Sequence, residues 1–154
     1  MIISEKLTSY NKNNIFILDP MNNNVISNGI FYRILYSSNY FVMNGLYIEI
    51  PLIQYNILNY YNKYLCEFNT YNSTNINIIE QITNIENNIL DKLPTNKYRV
   101  KRIVEQLNSG KFKIIEMNNN SVLKQTNNQR IILKISGIWE NESTYGITYK
   151  FMLL

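Results

Sequence analysis

The sequence of 154 residues contains no histidine and a single cysteine, Cys66. Histidine is the commonest general base at neutral pH and the commonest metal ligand, so its absence removes most familiar catalytic and metal-binding schemes. One cysteine can form neither an intramolecular disulfide nor a structural zinc site, and a lone thiol fits a reducing compartment. We therefore predict that the protein is not an enzyme and that it holds no metal and no other cofactor.

Nucleotide-binding motifs and long apolar runs are also absent from the sequence. It contains no GxxxxGK[ST] loop, no GxGxxG fingerprint and no GxSxG elbow. No window approaches the roughly 20 apolar residues that a membrane-spanning helix needs, and residues 1–9 lack the apolar core of a secretion signal. We therefore expect a protein that is not secreted and that has no membrane partner.

Alanine is missing too, whereas asparagine (27 residues), isoleucine (25) and tyrosine (13) are abundant. Asparagine, isoleucine, lysine and tyrosine have A+T-rich codons, so this bias reflects the genome as much as the protein. The net charge of +4 is mild, and it permits an anionic partner without requiring one. The four arginines and the one tryptophan run against the codon bias, and they are therefore more informative than the lysines and tyrosines.

Hydrophobic patterns predict strands in the first part of the chain. Asp19-Pro20 is predicted to end the first strand, with a loop at 21–24, because proline interrupts the hydrogen bonds of a strand. Asn44-Gly45 lies between two alternating runs and predicts a β-hairpin, since both residues tolerate a positive φ. The predicted strands cover residues 15–18, 30–36, 40–43, 46–52 and 64–68.

The middle of the chain is predicted to be helical and the last third to return to strands. Isoleucines at 78, 82, 85 and 89 form one helical stripe, which predicts a helix over 75–93. A second helix is predicted over 98–108, with Gly110 following it as a left-handed residue. The later strands are predicted at 111–116, near Val122, and in a hairpin of 130–139 with 145–153. Residues 1–154 are therefore predicted to form a single α+β domain, a mostly antiparallel sheet with two helices inserted between N- and C-terminal strands.

The densest positive cluster predicts a contact surface for phosphate groups. On a helix over 98–108, Arg99 and Arg102 would share one exposed face. Cations that contact phosphates release counterions from a nucleic acid. The candidate phosphate-binding residues are Arg99, Lys101, Arg102, Lys111 and Lys113. The alternative interpretation is a solvated helix face without a ligand.

Four aromatic residues lie near cations in the predicted strands. Proteins that bind single strands stack bases on exposed aromatic rings flanked by cations. The stacking candidates are Tyr32, Tyr36, Trp139 and Tyr149. The alternative is that these rings are core residues or cross-strand pairs. The passage 55–64, rich in asparagine and tyrosine, is either an adaptable interaction surface or an ordinary loop or short helix.

Two parts of the sequence resemble one group of viral proteins. The C-terminal stretches ILKISGIWE (132–140) and YGITYKF (145–151) look like the closing segment of small uncharacterised proteins of nucleocytoplasmic large DNA viruses. The stretches FYRILYS (31–37) and NGLYI (44–48) look like their N-terminal part. The resemblance implies a giant virus with an A+T-rich genome, and it brings no catalytic residues with it.

These observations lead to two functional expectations. The first is a non-catalytic viral nucleic-acid-binding protein, acting on single-stranded DNA in replication or genome handling. The alternative is a virion structural protein, such as a minor capsid or assembly component, with other virion proteins as partners and a possible homo-oligomer. In either case the expected location is the viral factory of the host cytoplasm or the virion. Clustered cations beside exposed aromatic rings would favour the first, and scattered cations the second.

Overall fold

The computed structural model describes residues 3–23, 25, 28–61, 63–117 and 129–154, which form a single-domain α+β fold. Its strands are β1 (Glu5–Lys6), β2 (Ile15–Asn23), β3 (Gly29–Ser37), β4 (Val42–Asn44), β5 (Leu46–Ile50), β6 (Tyr55–Tyr60), β7 (Lys63–Phe68), β8 (Tyr98–Val100), β9 (Lys111–Met117), β10 (Ile131–Glu140) and β11 (Thr144–Leu153). Its α-helices are α1 (Ser73–Leu90) and α2 (Arg102–Asn108). Both helices follow β7 along the chain, and β8 lies between them.

The long hairpin of β10 and β11 forms the centre of the sheet and has different neighbours at its two ends. At the end where β10 begins, β5 pairs with β10 and β9 pairs with β11. Beyond a register shift between Ile135 and Gly137, β3 pairs with β10. There β8 pairs with the start of β11. Most pairs are antiparallel, whereas β1 with β5, and β11 with β8 and β9, are parallel.

Helix α1 buries an isoleucine stripe against the sheet. Asn72 caps its N-terminus, because Oδ1 accepts hydrogen bonds from the backbone N–H groups of Thr74 and Asn75. Each buried isoleucine side chain contributes about 1.5–3 kcal/mol to stability relative to an exposed one. The buried isoleucines of α1 are Ile78, Ile79, Ile82, Ile85 and Ile89. This confirms the helical stripe, although the helix begins two residues before the predicted start and ends three residues before the predicted end.

The register of the strands assigns their side chains to two faces of the sheet, since directly paired residues share a face. The helix face includes Tyr145, Ile147 and Phe151, which join the isoleucines of α1 and Leu107 of α2 in one hydrophobic core. Side chains alternate along a strand, so the residues between them point to the opposite face. We call this the outer face and define it by Phe31, Arg33, Tyr47, Lys113, Lys134, Trp139, Thr148 and Lys150.

The prediction that Asp19-Pro20 ends a strand is wrong. Strand β2 continues through both residues to Asn23, so the predicted loop at 21–24 is strand over its first three residues. The register shifts between Ile17 and Pro20, where β2 carries one more residue than β3. A bulge of this kind accommodates a proline, because the extra residue is released from the regular hydrogen bonds.

The predicted hairpin at Asn44-Gly45 is also wrong, because the two strands that it joins do not pair with each other. Strand β4 pairs with β3, whereas β5 pairs with β10 and β1. Gly45 has a φ of +98°, and a Cβ there would lie 2.8 Å from the carbonyl oxygen of Ile135. The glycine therefore permits a sharp change of partner strand against the backbone of β10.

The helix predicted over 98–108 is divided into two elements. Residues Tyr98–Val100 form β8, and only Arg102–Asn108 form α2. The first residues are extended because they pair with the start of β11, a long-range contact that helical periodicity does not contain. Gly110 has a φ of +77°, as predicted for the residue that follows the helix.

Several other predictions can be compared directly with the strands. The strands predicted at 30–36 and 64–68 and the C-terminal hairpin are confirmed. The passage 55–64 is neither a loop nor a helix, since it contains β6 and the start of β7, which form a hairpin. The strand predicted near Val122 lies outside the described residues.

Candidate nucleic-acid interface

A row of lysines crosses three neighbouring strands on the outer face. Lys134 of β10 lies directly opposite Lys150 of β11. Lys113 of β9 precedes Ile114, which pairs with Phe151, so Lys113 lies beside Lys150 in the parallel register. At the other end Lys134 pairs with Tyr47, and its Nζ is 5.2 Å from the centroid of that ring. We call Lys113, Lys134 and Lys150 the lysine row.

The lysine row places like charges on neighbouring strands, which does not stabilise the sheet. Neighbouring strands are about 4.8 Å apart, and like charges directly opposite each other destabilise a strand pair. Lys113 is exposed, whereas Lys134 and Lys150 are half-buried. The row therefore adds positive charge to this face of the sheet.

A groove of about 850 Å³ opens beside the lysine row, at the end of the outer face where β3 and β8 flank the central hairpin. Its walls include Phe31 of β3, Trp139 of β10 and Thr148 of β11. Arg102, the first residue of α2, also lines it. Tyr149 of β11 is a third aromatic residue of the lining, so the groove combines three aromatic residues with one cation.

Two glycines lie close to the rings of Phe31 and Trp139 in the groove. Phe31 and Gly146 are both directly opposite Trp139 in the register. A Cβ at Gly146 would lie 2.7 Å from Cζ2 of Trp139, and a Cβ at Gly137 would lie 2.8 Å from Cζ of Phe31. A Cβ at Gly146 would therefore press on the indole, whereas a Cβ at Gly137 would first meet the carbonyl oxygen of Tyr32 and then the ring of Phe31.

Arg102 covers the indole of Trp139. Its Cζ lies 5.5 Å from the ring centroid, within the range of a cation–π contact. Trp139 is only 8 % exposed, so a ligand reaches the face of the indole only if the exposed Arg102 side chain moves. The position of Arg102 is set by α2, whose first turn is held by the buried carboxylate of Glu86.

The predicted phosphate-binding residues do not form one surface. Arg99 lies on β8 rather than on a helix, where its guanidinium pairs with Asp91 at 2.7 Å and donates to the hydroxyl of Tyr145 at 2.8 Å. Tyr145 belongs to the helix face, so Arg99 and Arg102 do not share a surface as predicted. Lys101 is exposed just before α2. Its neighbours in the prediction, Lys111 and Lys113, lie on β9 with side chains on the outer face.

Lys111 contributes less than Lys113 to an anion-binding surface. The Lys111 Nζ lies 3.0 Å from Oε1 of Glu67, which is directly opposite in β7. This exposed ion pair neutralises the charge of Lys111 locally, although it is weak in stability terms. Lys113 is opposite Leu65 instead, so its cross-strand neighbour brings no opposite charge.

The predicted stacking residues are also divided between the two faces. The prediction that Tyr36 stacks on a base is wrong. Tyr36 is fully buried and stacks on Tyr10, so its ring is not accessible to a ligand. Tyr32 and Tyr149 lie on the helix face, where their hydroxyls donate to Oε1 of Glu140 and to Oε1 of Gln106 respectively. Burial raises the pKa of Tyr149 to about 12 and that of Tyr32 above its usual value. Of the four, Trp139 alone lies on the outer face, although Tyr149 also lines the groove beside it.

The candidate site residues chosen from the sequence do not include five residues of this interface. Phe31, Arg33, Tyr47, Lys134 and Lys150 all lie on the outer face. The sequence did contain a signal for Lys134 and Lys150, because a hairpin with a short connection after Glu140 places these two residues nearly opposite each other. The remaining three depend on which strands lie beside β10, and no local pattern contains that information.

Neither a protein-family model, nor a curated protein, nor a solved structure matches this chain. Within residues 3–23, 25, 28–61, 63–117 and 129–154, no helix is long and apolar enough to cross a membrane. In the same part of the chain, no group of three Cys, Asp or Glu side chains could hold a metal ion. The geometry of the outer face is therefore the basis for a functional proposal.

Proposed function

We propose that the protein binds single-stranded nucleic acid along the outer face of its sheet, without catalysing a reaction. The observation that carries this proposal is the position of Lys113 and Lys134 on the same face of the sheet as Tyr47, Phe31 and Trp139. Cations beside aromatic rings are the combination with which proteins bind a single strand. A phosphodiester backbone is a polyanion, and it releases counterions when cations contact its phosphates.

Aromatic residues beside the lysine row favour a single strand over a duplex. Tyr47 lies at one end of the row, and Phe31 and Trp139 line the groove at the other end of the outer face. Bases of a single strand stack on such rings, while cations follow the backbone. Single-stranded DNA is the first candidate, because the sequence resembles proteins of viruses that have DNA genomes. The corresponding role would be in viral replication or genome handling.

Fluorescence anisotropy of a labelled single-stranded oligonucleotide across a salt series tests the proposal. Each phosphate contact contributes about 0.7 to the slope of log K against log salt for a single strand. The double variant Lys113→Gln with Lys134→Gln should therefore lower the slope by about 1.4. The matched control, Lys12→Gln with Lys92→Gln, removes the same charge at two exposed lysines away from the outer face, and it should leave the slope nearly unchanged.

Two results would contradict this function. One is the absence of oligonucleotide binding at low salt. The other is an equal loss of affinity in the two double variants, which would mean that net charge alone accounts for binding. RNA of the same length and sequence, measured in parallel, tests the proposed preference for DNA.

A second candidate function, a component of a viral assembly, is favoured by strand β6. Among the described strands, β6 lies at the end of the sheet and pairs with β7. Its sequence, Tyr-Asn-Ile-Leu-Asn-Tyr, contains neither charge nor proline, and Leu58 and Tyr60 are exposed. Natural edge strands usually carry lysine, proline or a bulge, which prevent pairing with another chain. A second copy of this chain could therefore add to the sheet at β6.

Sedimentation velocity over a range of concentrations tests this second candidate. Asn59→Lys places a charge on the edge strand and should shift the protein from dimer to monomer. Asn84→Lys adds the same charge on the exposed side of α1 and should leave the dimer intact. A native chain that is monomeric at every concentration would exclude self-association through β6.

A further inference from the structure

We propose that the groove beside Trp139 binds one nucleotide, with its base stacked on the indole and its phosphate held by Arg102. This inference deepens the proposed function and rests on it, since the groove would hold one base of the bound strand. The volume of about 850 Å³ is in the usual range for sites that take small organic ligands. The ligand class is a nucleoside phosphate, a flat ring with an anionic group attached.

The walls of the groove match a flat ring because Trp139 and Phe31 each lie across a glycine. The position of a Cβ at Gly146 is 2.7 Å from Cζ2 of Trp139, so the backbone of β11 lies close against the indole. Arg102 lies over the ring, with its Cζ 5.5 Å from the centroid. A ligand ring that stacks on this face of Trp139 must therefore enter where Arg102 now lies.

The spacing between Arg102 and Trp139 indicates how a base would enter. A base between them needs about 3.5 Å on each side, or about 7 Å in total. The present distance of 5.5 Å is about 1.5 Å too short, so the guanidinium must move outward by that amount. Arg102 is exposed and is the first residue of α2, and only its side chain has to move. In the displaced position its planar fork can hold a phosphate in bidentate geometry.

Polar groups at the rim would meet the edges of the base. Thr148 and Asn141 line the groove; the Thr148 hydroxyl can donate and accept hydrogen bonds, and the Nδ2 group of Asn141 can donate them. The Oδ1 of Asn141 accepts from the backbone N–H and the hydroxyl of Thr144, which fixes the orientation of the amide. The ring faces supply the main attraction, so purines and pyrimidines should both enter, with purines favoured by their larger area.

Trp139 is the only tryptophan of the chain, so its fluorescence reports on this site alone. The protein is titrated with adenosine 5′-monophosphate and, separately, with ribose 5-phosphate, which carries the same anion without a base. N-acetyltryptophanamide titrated in parallel corrects for absorption and collisional quenching. Saturable quenching by the nucleotide, with weak or no quenching by the sugar phosphate, is the expected result. Absence of saturable quenching, or equal effects of the two ligands, would overturn the base-stacking site.

The role of Arg102 is tested by Arg102→Gln, with Lys92→Gln as a control of equal charge change on the exposed turn after α1. Loss of a charge-assisted contact should weaken nucleotide binding by about tenfold or more, whereas the control should bind as the native chain does. Equal affinities of the two variants would exclude Arg102 as the phosphate contact.

Failure of this inference and failure of the proposed function have different signatures. If oligonucleotides bind with the expected salt slope while mononucleotides leave Trp139 fluorescence unchanged, the nucleotide site is excluded and the strand-binding face remains. If mononucleotides quench but oligonucleotides do not bind at low salt, the groove is a site for free nucleotides and the strand-binding function is excluded.

Discussion

The buried carboxylate of Glu86 in α1 accepts a hydrogen bond from the backbone N–H of Val104 at 3.0 Å. Its other oxygen accepts from the N–H of Ile103 at 3.2 Å. The first N–H groups of a helix have no partner inside the helix, and Lys101, which precedes α2, makes no side-chain cap. Glu86 therefore caps α2 from a different helix, and it fixes the element that carries Arg102.

Replacement of Glu86 should destabilise the protein according to how many acceptors remain. Glu86→Leu leaves both N–H groups buried without a partner and should lower the free energy of unfolding by about 1–3 kcal/mol. Glu86→Gln keeps one side-chain oxygen and should cost less. Urea denaturation of both variants measures the difference. If the glutamine variant were as unstable as the leucine variant, the hydrogen bonds to α2 would not be the cause.

The same carboxyl group should make stability depend on pH. Burial raises the pKa of Glu86 above its usual value of 4.5, against the lowering effect of the two backbone hydrogen bonds. The folded state therefore holds the proton more strongly than the unfolded chain. This contribution to stability is fully present below about pH 4.5, and it is lost as the pH rises through the raised pKa.

Comparison with Glu86→Gln isolates that contribution, because the other titrating groups are shared by the two proteins. The free energy of unfolding of the native chain minus that of the variant should decrease as the pH rises from about 4.5 through the raised pKa. Urea titrations at several pH values supply both numbers. A difference that is constant or increases with pH would show that burial does not dominate the pKa of Glu86.

Gly146→Ala should displace Trp139 from its position across β11. The added Cβ would lie 2.7 Å from Cζ2 of the indole and 2.9 Å from the carbonyl oxygen of Val100. Overpacking of this kind typically costs about 1–3 kcal/mol, and the displaced indole should emit at longer wavelength because it meets more water. Asn84→Ala, at an exposed position of α1, is the control. An unshifted emission spectrum in Gly146→Ala would mean that the ring does not depend on the glycine.

Elements with a local signal were predictable from the sequence. The isoleucine stripe of α1 and the alternating arms of β10 and β11 contain their own periodicity, and both are present as predicted. The errors at β2 and β8 have a common physical reason. In each, a long-range strand pair overrides a local preference: pairing with β3 extends β2 past Pro20, and pairing with β11 keeps 98–100 extended.

The candidate site was less predictable than the fold. Trp139 was recognisable because tryptophan is rare in this composition, and Arg102 because arginine is rare. The lysine row was hidden, since lysine is common and since the neighbourhood of Lys113 depends on β9 lying parallel to β11. Tyr36 was misassigned because a ring in an alternating strand belongs to one face or the other, and only the position of the helices decides which face is buried.

Cys66 should be almost unreactive in the native protein. It is fully buried in β7, opposite Ile57 of the edge strand and Phe112 of β9. Burial, and secondarily the charge of Glu67, raises the pKa of the thiol to about 12, so the reactive thiolate is scarce at neutral pH. A disulfide reagent such as 5,5′-dithiobis(2-nitrobenzoic acid), added at about pH 8, should react slowly with the native chain and rapidly with the chain in urea, where the pKa returns to about 8.5. Because the chain has one cysteine, the slow native rate measures how often the β6–β7 hairpin opens. A native rate equal to the rate in urea would contradict both the burial of Cys66 and the stability of this hairpin.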